Sequence, residues 1–188
     1  MSSIKIIYVD DRPDKYVSQY LLENYKEFYE EITFTNDTYE NLLITLSKKA
    51  PFVLLIDSKL FENNNAGCKF TGEELMLILK KQHPFSEIFI ITQNANCEFD
   101  AILKYRYTDF ESYNIYYNKK LLPFLKKAEE KIELYFKIIE KMSMNTAFDH
   151  FLIEKIKDSI VGINNYNNLK AEDIDRLVEA FKELKEKV

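Results

Sequence analysis

Three short apolar runs dominate this chain, and each stops at a polar residue. Ile4–Val9 ends at Asp10-Asp11, Phe52–Ile56 ends at Asp57, and Ile88–Ile91 ends at Thr92. Near-continuous β-branched and apolar runs of this length suit strands covered on both faces, the condition of a parallel sheet. Helical spacing fills the gaps between them. Tyr16, Tyr20, Leu21, Tyr25 and Phe28 follow Pro13, a residue suited to a helix start, and Leu42, Leu43 and Leu46 follow a short strand-like segment, Ile32–Thr35. Thr71 and Glu74 have capping-box spacing ahead of Leu75, Ile78 and Leu79.

Strands alternating with helices imply right-handed crossovers and a mostly parallel sheet. A short helix is expected around Ala101–Tyr105. The fifth strand is expected at Ile115-Tyr116-Tyr117, with Lys119 just beyond it. In such sheets ligands gather at the carboxyl ends of the strands. Asp10, Asp11, Asp57, Thr92 and Lys119 are therefore expected along one edge.

From about Leu121 onward the pattern is helical. Leu125, Ile132, Phe136 and Ile139 form a heptad-like stripe. A second helix is expected over 147–162, with Phe148, Phe151, Leu152 and Ile156 inward, and a third from about Ala171. The boundaries read as an α/β domain over 1–142 and a helical extension over 143–188. The tail could lengthen the domain, form a dimer interface, or dock an effector.

Composition narrows the classes of function. A formal charge of −5, with no basic run, argues against a broad nucleic-acid surface. Cys68 and Cys97 are isolated thiols without metal spacing, and His83 and His150 read as surface or boundary residues. No stretch approaches the ~18 apolar residues of a membrane span. The N-terminus carries no signal-peptide pattern, so a cytoplasmic protein is expected.

Clustered carboxylates repel one another, and a hard divalent cation relieves that repulsion with oxygen ligands. Mg²⁺ at such a cluster would neutralise charge on an incoming phosphoryl group, with Asp57 as nucleophile. Thr92 offers a hydroxyl and Lys119 a positive charge to the same group.

The ordered set Asp10-Asp11, Asp57, Thr92 and Lys119 resembles the response-regulator receiver family of two-component phosphorelays, over roughly residues 4–135. The resemblance implies a flavodoxin-like, doubly wound, five-stranded sheet in the order 2-1-3-4-5. It implies phosphorylation of Asp57 by a histidine kinase or phosphotransfer protein, and an output through an effector or the chain's own C-terminal helices. Within that likeness Asp11 coordinates Mg²⁺ directly, Asp10 contacts it partly through water, and the backbone carbonyl of Lys59 is the third protein ligand. Gly72-Glu73-Glu74-Leu75 looks like the segment that opens the third helix, and Tyr116, three residues before Lys119, takes the place of an aromatic switch.

The chain departs from the pattern in two places. Phe61 stands where the family has Pro, and Lys120 follows Lys119 where the family has a cis Pro, which makes Lys120 a rival for the pocket. The segments 61–70 and 92–119 are also longer than usual. No enzymatic turnover is implied beyond Mg²⁺-dependent self-phosphorylation and dephosphorylation of Asp57. A phosphorylation-independent pseudo-receiver serving as a protein-interaction module is the alternative. A phosphatase of the haloacid-dehalogenase type would need Asp-x-Asp, and Asp10-Asp11-Arg12 lacks that spacing.

Overall fold

The computed structural model describes residues 4–34, 39–60, 71–95, 101–107, 111–144 and 149–162. The expectations placed on Phe61, Phe70, Cys68, Cys97, Phe148 and the segment from Ala171 lie outside these residues.

Five parallel strands form one sheet: β1 (Lys5–Asp10), β2 (Tyr29–Thr33), β3 (Phe52–Asp57), β4 (Glu87–Thr92) and β5 (Ala101–Leu103), in the order β2-β1-β3-β4-β5. This is the flavodoxin-like arrangement expected from the sequence. Among the described residues the helices are α1 (Lys15–Tyr25), α2 (Tyr39–Ser47), α3 (Gly72–Gln82), α4 (Tyr113–Lys120), α5 (Leu122–Met144) and α6 (His150–Ile160). Among these residues, no helix is long and apolar enough to cross a membrane.

The period of two along the strands builds two cores. Ile6 and Tyr8 of β1, Val53 and Leu55 of β3, Ile91 of β4 and Ile102 of β5 face α1, α4 and α5. Their alternates, including Ile7, Val9, Leu54, Ile56, Ile88 and Ile90, pack against α2 and α3. All six residues of β3 are buried, as the central strand of a two-sided sheet must be. α6 packs on α5 and buries Leu152, Ile153 and Ile160. Phe151, expected inward, is exposed, and Ile156 is half-buried.

Local signals explain where the helices start. The Asp14 carboxylate caps α1 by accepting from the N–H groups of Tyr16 and Val17, so Pro13 sits just outside the helix. Thr71 and Glu74 form the reciprocal capping box at α3.

Two expected elements are exchanged. Ala101–Leu103 is the fifth strand rather than part of a helix, and Ile115–Tyr117 lies in α4 rather than in a strand. The Ser112 hydroxyl caps α4 through the N–H of Ile115. Tyr113, Tyr116 and Tyr117 then fall on the face turned toward α1 and the exit of β5, at i, i+3 and i+4 spacing. β-branched and aromatic content had favoured a strand there; a cap followed by an apolar face at helical spacing decides for the helix.

The link from β4 to β5 spans only residues 93–100. Parallel neighbours are usually joined by a dozen or more residues containing a helix. His83 also departs from expectation. It is 3% exposed, closes α3 through its backbone N–H, and packs its ring 5.5 Å from Phe52.

Candidate functional site

The site is built where four strands end. Pairing puts Val9 beside Ile56, Asp57 beside Ile91, and Thr92 beside Leu103, so the residues that terminate β1, β3, β4 and β5 converge. Asp10, Asp11, Asp57, Thr92 and Lys104 line one cavity of about 460 Å³. Lys59, Arg12 and Arg106 are exposed and line it as well.

Lys104 is the ammonium of this pocket. It follows β5 directly, is 6% exposed, and its Nζ donates to Asp57 Oδ1 at 2.6 Å and to Asp10 Oδ2 at 2.8 Å. Its backbone N–H donates to the Thr92 carbonyl at 2.8 Å, tying it to the end of β4. Burial disfavours a charged amine, yet the two facing carboxylates more than offset it and hold the Lys104 pKa above its ordinary value.

Lys119 does not reach the cavity. It lies on α4, its side chain is 63% exposed, and it pairs with Glu111 at 2.6 Å. Lys120 is on the same helix and is exposed too. Both assignments came from locating the fifth strand at Ile115–Tyr117, and they are corrected with it. The place expected for an aromatic switch, three residues before the pocket lysine, moves likewise. Tyr116 belongs to α4 and donates its hydroxyl to the Leu103 carbonyl at 3.1 Å, while the residue three before Lys104 is Ala101.

The signal for Lys104 was present in the sequence. Ala101-Ile102-Leu103-Lys104 repeats, in three residues, the arrangement of an apolar run followed by a polar residue seen at the other strands. It is shorter than the four residues at which such runs ordinarily register as strands.

The two buried acids are held differently. Asp57 takes one donor on each oxygen: Lys104 on Oδ1, and the N–H of Lys59 on Oδ2 at 2.9 Å. Burial pushes its pKa above the ordinary carboxylate value despite the ammonium beside it. Asp10 takes three donors. The Tyr8 hydroxyl and Lys104 bond Oδ2, and the N–H of Arg12 reaches Oδ1 at 2.8 Å. Thr92 is 1% exposed, and its hydroxyl oxygen accepts from the N–H of Asn94 at 3.1 Å.

Asp10, Asp11 and Asp57 each offer an oxygen within 4.8 Å of the others. Two oxygens on opposite sides of one Mg²⁺ stand roughly 4.2 Å apart at ~2.1 Å bond lengths, so small adjustments suffice for a shared ion. An all-oxygen donor set of this charge fits a hard divalent cation rather than a soft one.

Gly72 keeps α3 against the site. A Cβ there would stand 2.1 Å from the Asp57 carbonyl oxygen, and the Gly72 N–H donates to the Ser58 carbonyl at 2.9 Å. Beyond the pocket, the Tyr105 N–H donates to the Tyr117 hydroxyl at 3.0 Å, which fastens the residue after Lys104 to α4. A scan against models of protein families finds no match for this chain, and no curated protein matches it in sequence.

Proposed function

We propose that this chain is a receiver-type phosphoacceptor that takes a phosphoryl group on Asp57 with the help of Mg²⁺. The observation that carries the reading is the meeting of Asp57, Asp10 and Lys104 in one buried cluster, with Thr92 and Asp11 on the same cavity.

Asp57 is the nucleophile. One of its carboxylate oxygens forms a bond to the donor's phosphorus as the bond from phosphorus to the leaving group breaks. The leaving group departs with that electron pair, and the product on the chain is an acyl phosphate. Lys104, already bonded to Asp57, follows the phosphoryl oxygens as an ammonium partner. The Thr92 hydroxyl donates to a second oxygen. Mg²⁺, when bound, supplies positive charge to the remaining phosphoryl oxygens. Asp11, Asp57 and the Lys59 carbonyl would hold the ion, and Asp10 would contact it partly through water, as the receiver likeness implies.

The partners of such a site are a histidine kinase or phosphotransfer protein upstream and an effector, or the chain's own C-terminal segment, downstream. The test is mass spectrometry after incubation with Mg²⁺ and a small acyl phosphate. A gain of one phosphoryl group, lost in Asp57→Asn and on chelation, is the expected result. No gain in the unmodified chain would sink the proposal.

Two features support a second reading, a pseudo-receiver that works as an interaction module without phosphorylation. Lys104 already bridges Asp10 and Asp57, and Ala101 brings no ring to the position of an aromatic switch. Under that reading the chain binds its partner equally with and without acyl phosphate.

A further inference from the structure

Tyr8 sits two residues before Asp10 on β1, fully buried among Ile6, Val17, Leu21, Val53 and Leu55. A phenylalanine would fill the same apolar space without a hydroxyl to satisfy. The Tyr8 hydroxyl is fully used. It donates to Asp10 Oδ2 and accepts from the N–H of Asp14 at 3.1 Å.

That hydroxyl changes what Asp10 has left to offer. A carboxylate has about four lone-pair sites. Tyr8, Lys104 and the Arg12 N–H together take three donor bonds on Asp10, against the two on Asp57. The oxygen shared by Tyr8 and Lys104 is Oδ2, so the hydroxyl fixes one of the two carboxylate oxygens that anchor the ammonium.

We infer that Tyr8 is a positioning residue that reserves Asp10 for Lys104 and keeps that carboxylate out of the inner ligand set of a cation held by Asp11 and Asp57. The three acids thereby divide two tasks. Asp10 aims the ammonium at the phosphoryl site, while the other two face the ion. The inference rests on the phosphoacceptor reading above and concerns how that site is organised.

Mn²⁺, titrated calorimetrically as a probe of the cation site, tests the division without reference to phosphorylation. Tyr8→Phe frees one acceptor site on Asp10 Oδ2, so Mn²⁺ binds about tenfold tighter, the lower end of the scale by which neighbours of metal ligands alter affinity. The gain disappears in Tyr8→Phe combined with Asp10→Asn. Phosphorylation of Tyr8→Phe at saturating metal slows about fivefold or more, because one of the two carboxylates that anchor Lys104 is no longer fixed. A role confined to packing predicts unchanged or weaker Mn²⁺ binding, and that outcome in a variant melting like the parent overturns the inference.

Should Tyr8→Phe fail to fold, single substitutions of the acids decide. Asp10→Asn weakens Mn²⁺ roughly tenfold less than Asp11→Asn does; equal losses overturn the assignment. A parent chain that binds Mn²⁺ but accepts no phosphoryl group refutes the phosphoacceptor reading, and the affinity pattern still judges Tyr8. A parent that binds no Mn²⁺ refutes both.

Discussion

Lys104 Nζ stands 2.6 Å from Asp57 Oδ1, joining two residues 47 positions apart in a buried ion pair. The same ammonium is 2.8 Å from Asp10 Oδ2, so one cation balances two carboxylates. Removing it leaves both acids buried without that partner. Breaking a buried pair from one side costs about 3–5 kcal/mol. Lys104→Met is expected to lose stability on that scale in metal-free urea denaturation. Lys119→Met removes only an exposed pair with Glu111 and is expected to cost under about 1 kcal/mol. Equal effects would contradict the placement of Lys104.

Asp57 is destabilising in its ionised form. Its pKa is raised by burial, so the folded chain binds a proton more readily there than the unfolded chain does. The stabilising contribution exists in acid and is lost as pH rises through the elevated folded value. Relative to the parent, Asp57→Asn should therefore gain stability in the metal-free protein as pH rises toward neutrality, while Lys104 keeps its pair with Asp10. The advantage should shrink as pH is lowered toward the ordinary Asp value of 3.8. Denaturation curves at several pH values check both sign and window.

His83 has the opposite sense. Both ring nitrogens are buried without a hydrogen-bond partner among the described residues, and burial lowers the pKa from 6.5. The native chain holds the ring neutral while the unfolded chain takes a proton below pH 6.5, so stability falls with acidification in that window. His83→Leu removes two unsatisfied polar atoms and is expected to stabilise by about 1–2 kcal/mol at neutral pH. Its stability curve should also be flatter than the parent's below pH 6.5.

Gly72 is expected to tolerate no side chain. A Cβ at 2.1 Å from the Asp57 carbonyl oxygen meets backbone, which cannot rotate aside as a side chain can. Gly72→Ala should cost about 2–3 kcal/mol, the upper part of the range for overpacking. Under the phosphoacceptor proposal it should also slow phosphorylation of Asp57, because α3 must back away from the end of β3. Normal stability in this variant would show that the contact is looser than described.

Much of the fold could be read from local pattern. Continuous apolar runs marked β1, β3 and β4, because a strand buried on two faces has no polar alternate to break it. Thr71 and Glu74 marked the start of α3, because a capping box acts within four residues. Asp10, Asp11, Asp57 and Thr92 followed as strand-terminal residues, and the cavity brings all four together. β2 came out a few residues away from the expected segment, at Tyr29–Thr33, since its exposed and half-buried positions give a weak apolar signal.

Long-range pairing settled the remainder. β5 is three residues long and owes its strand conformation to hydrogen bonding along β4, an energy that no local propensity records. Which lysine entered the pocket depended on that pairing, so Lys104 replaced Lys119. The partnership of the Tyr8 hydroxyl with Asp10 was equally hidden, because an aromatic residue in a buried strand reads simply as core. Periodicity reports which side chains leave water; which polar atoms then meet is fixed by strand register and by the need of each buried donor and acceptor for a partner.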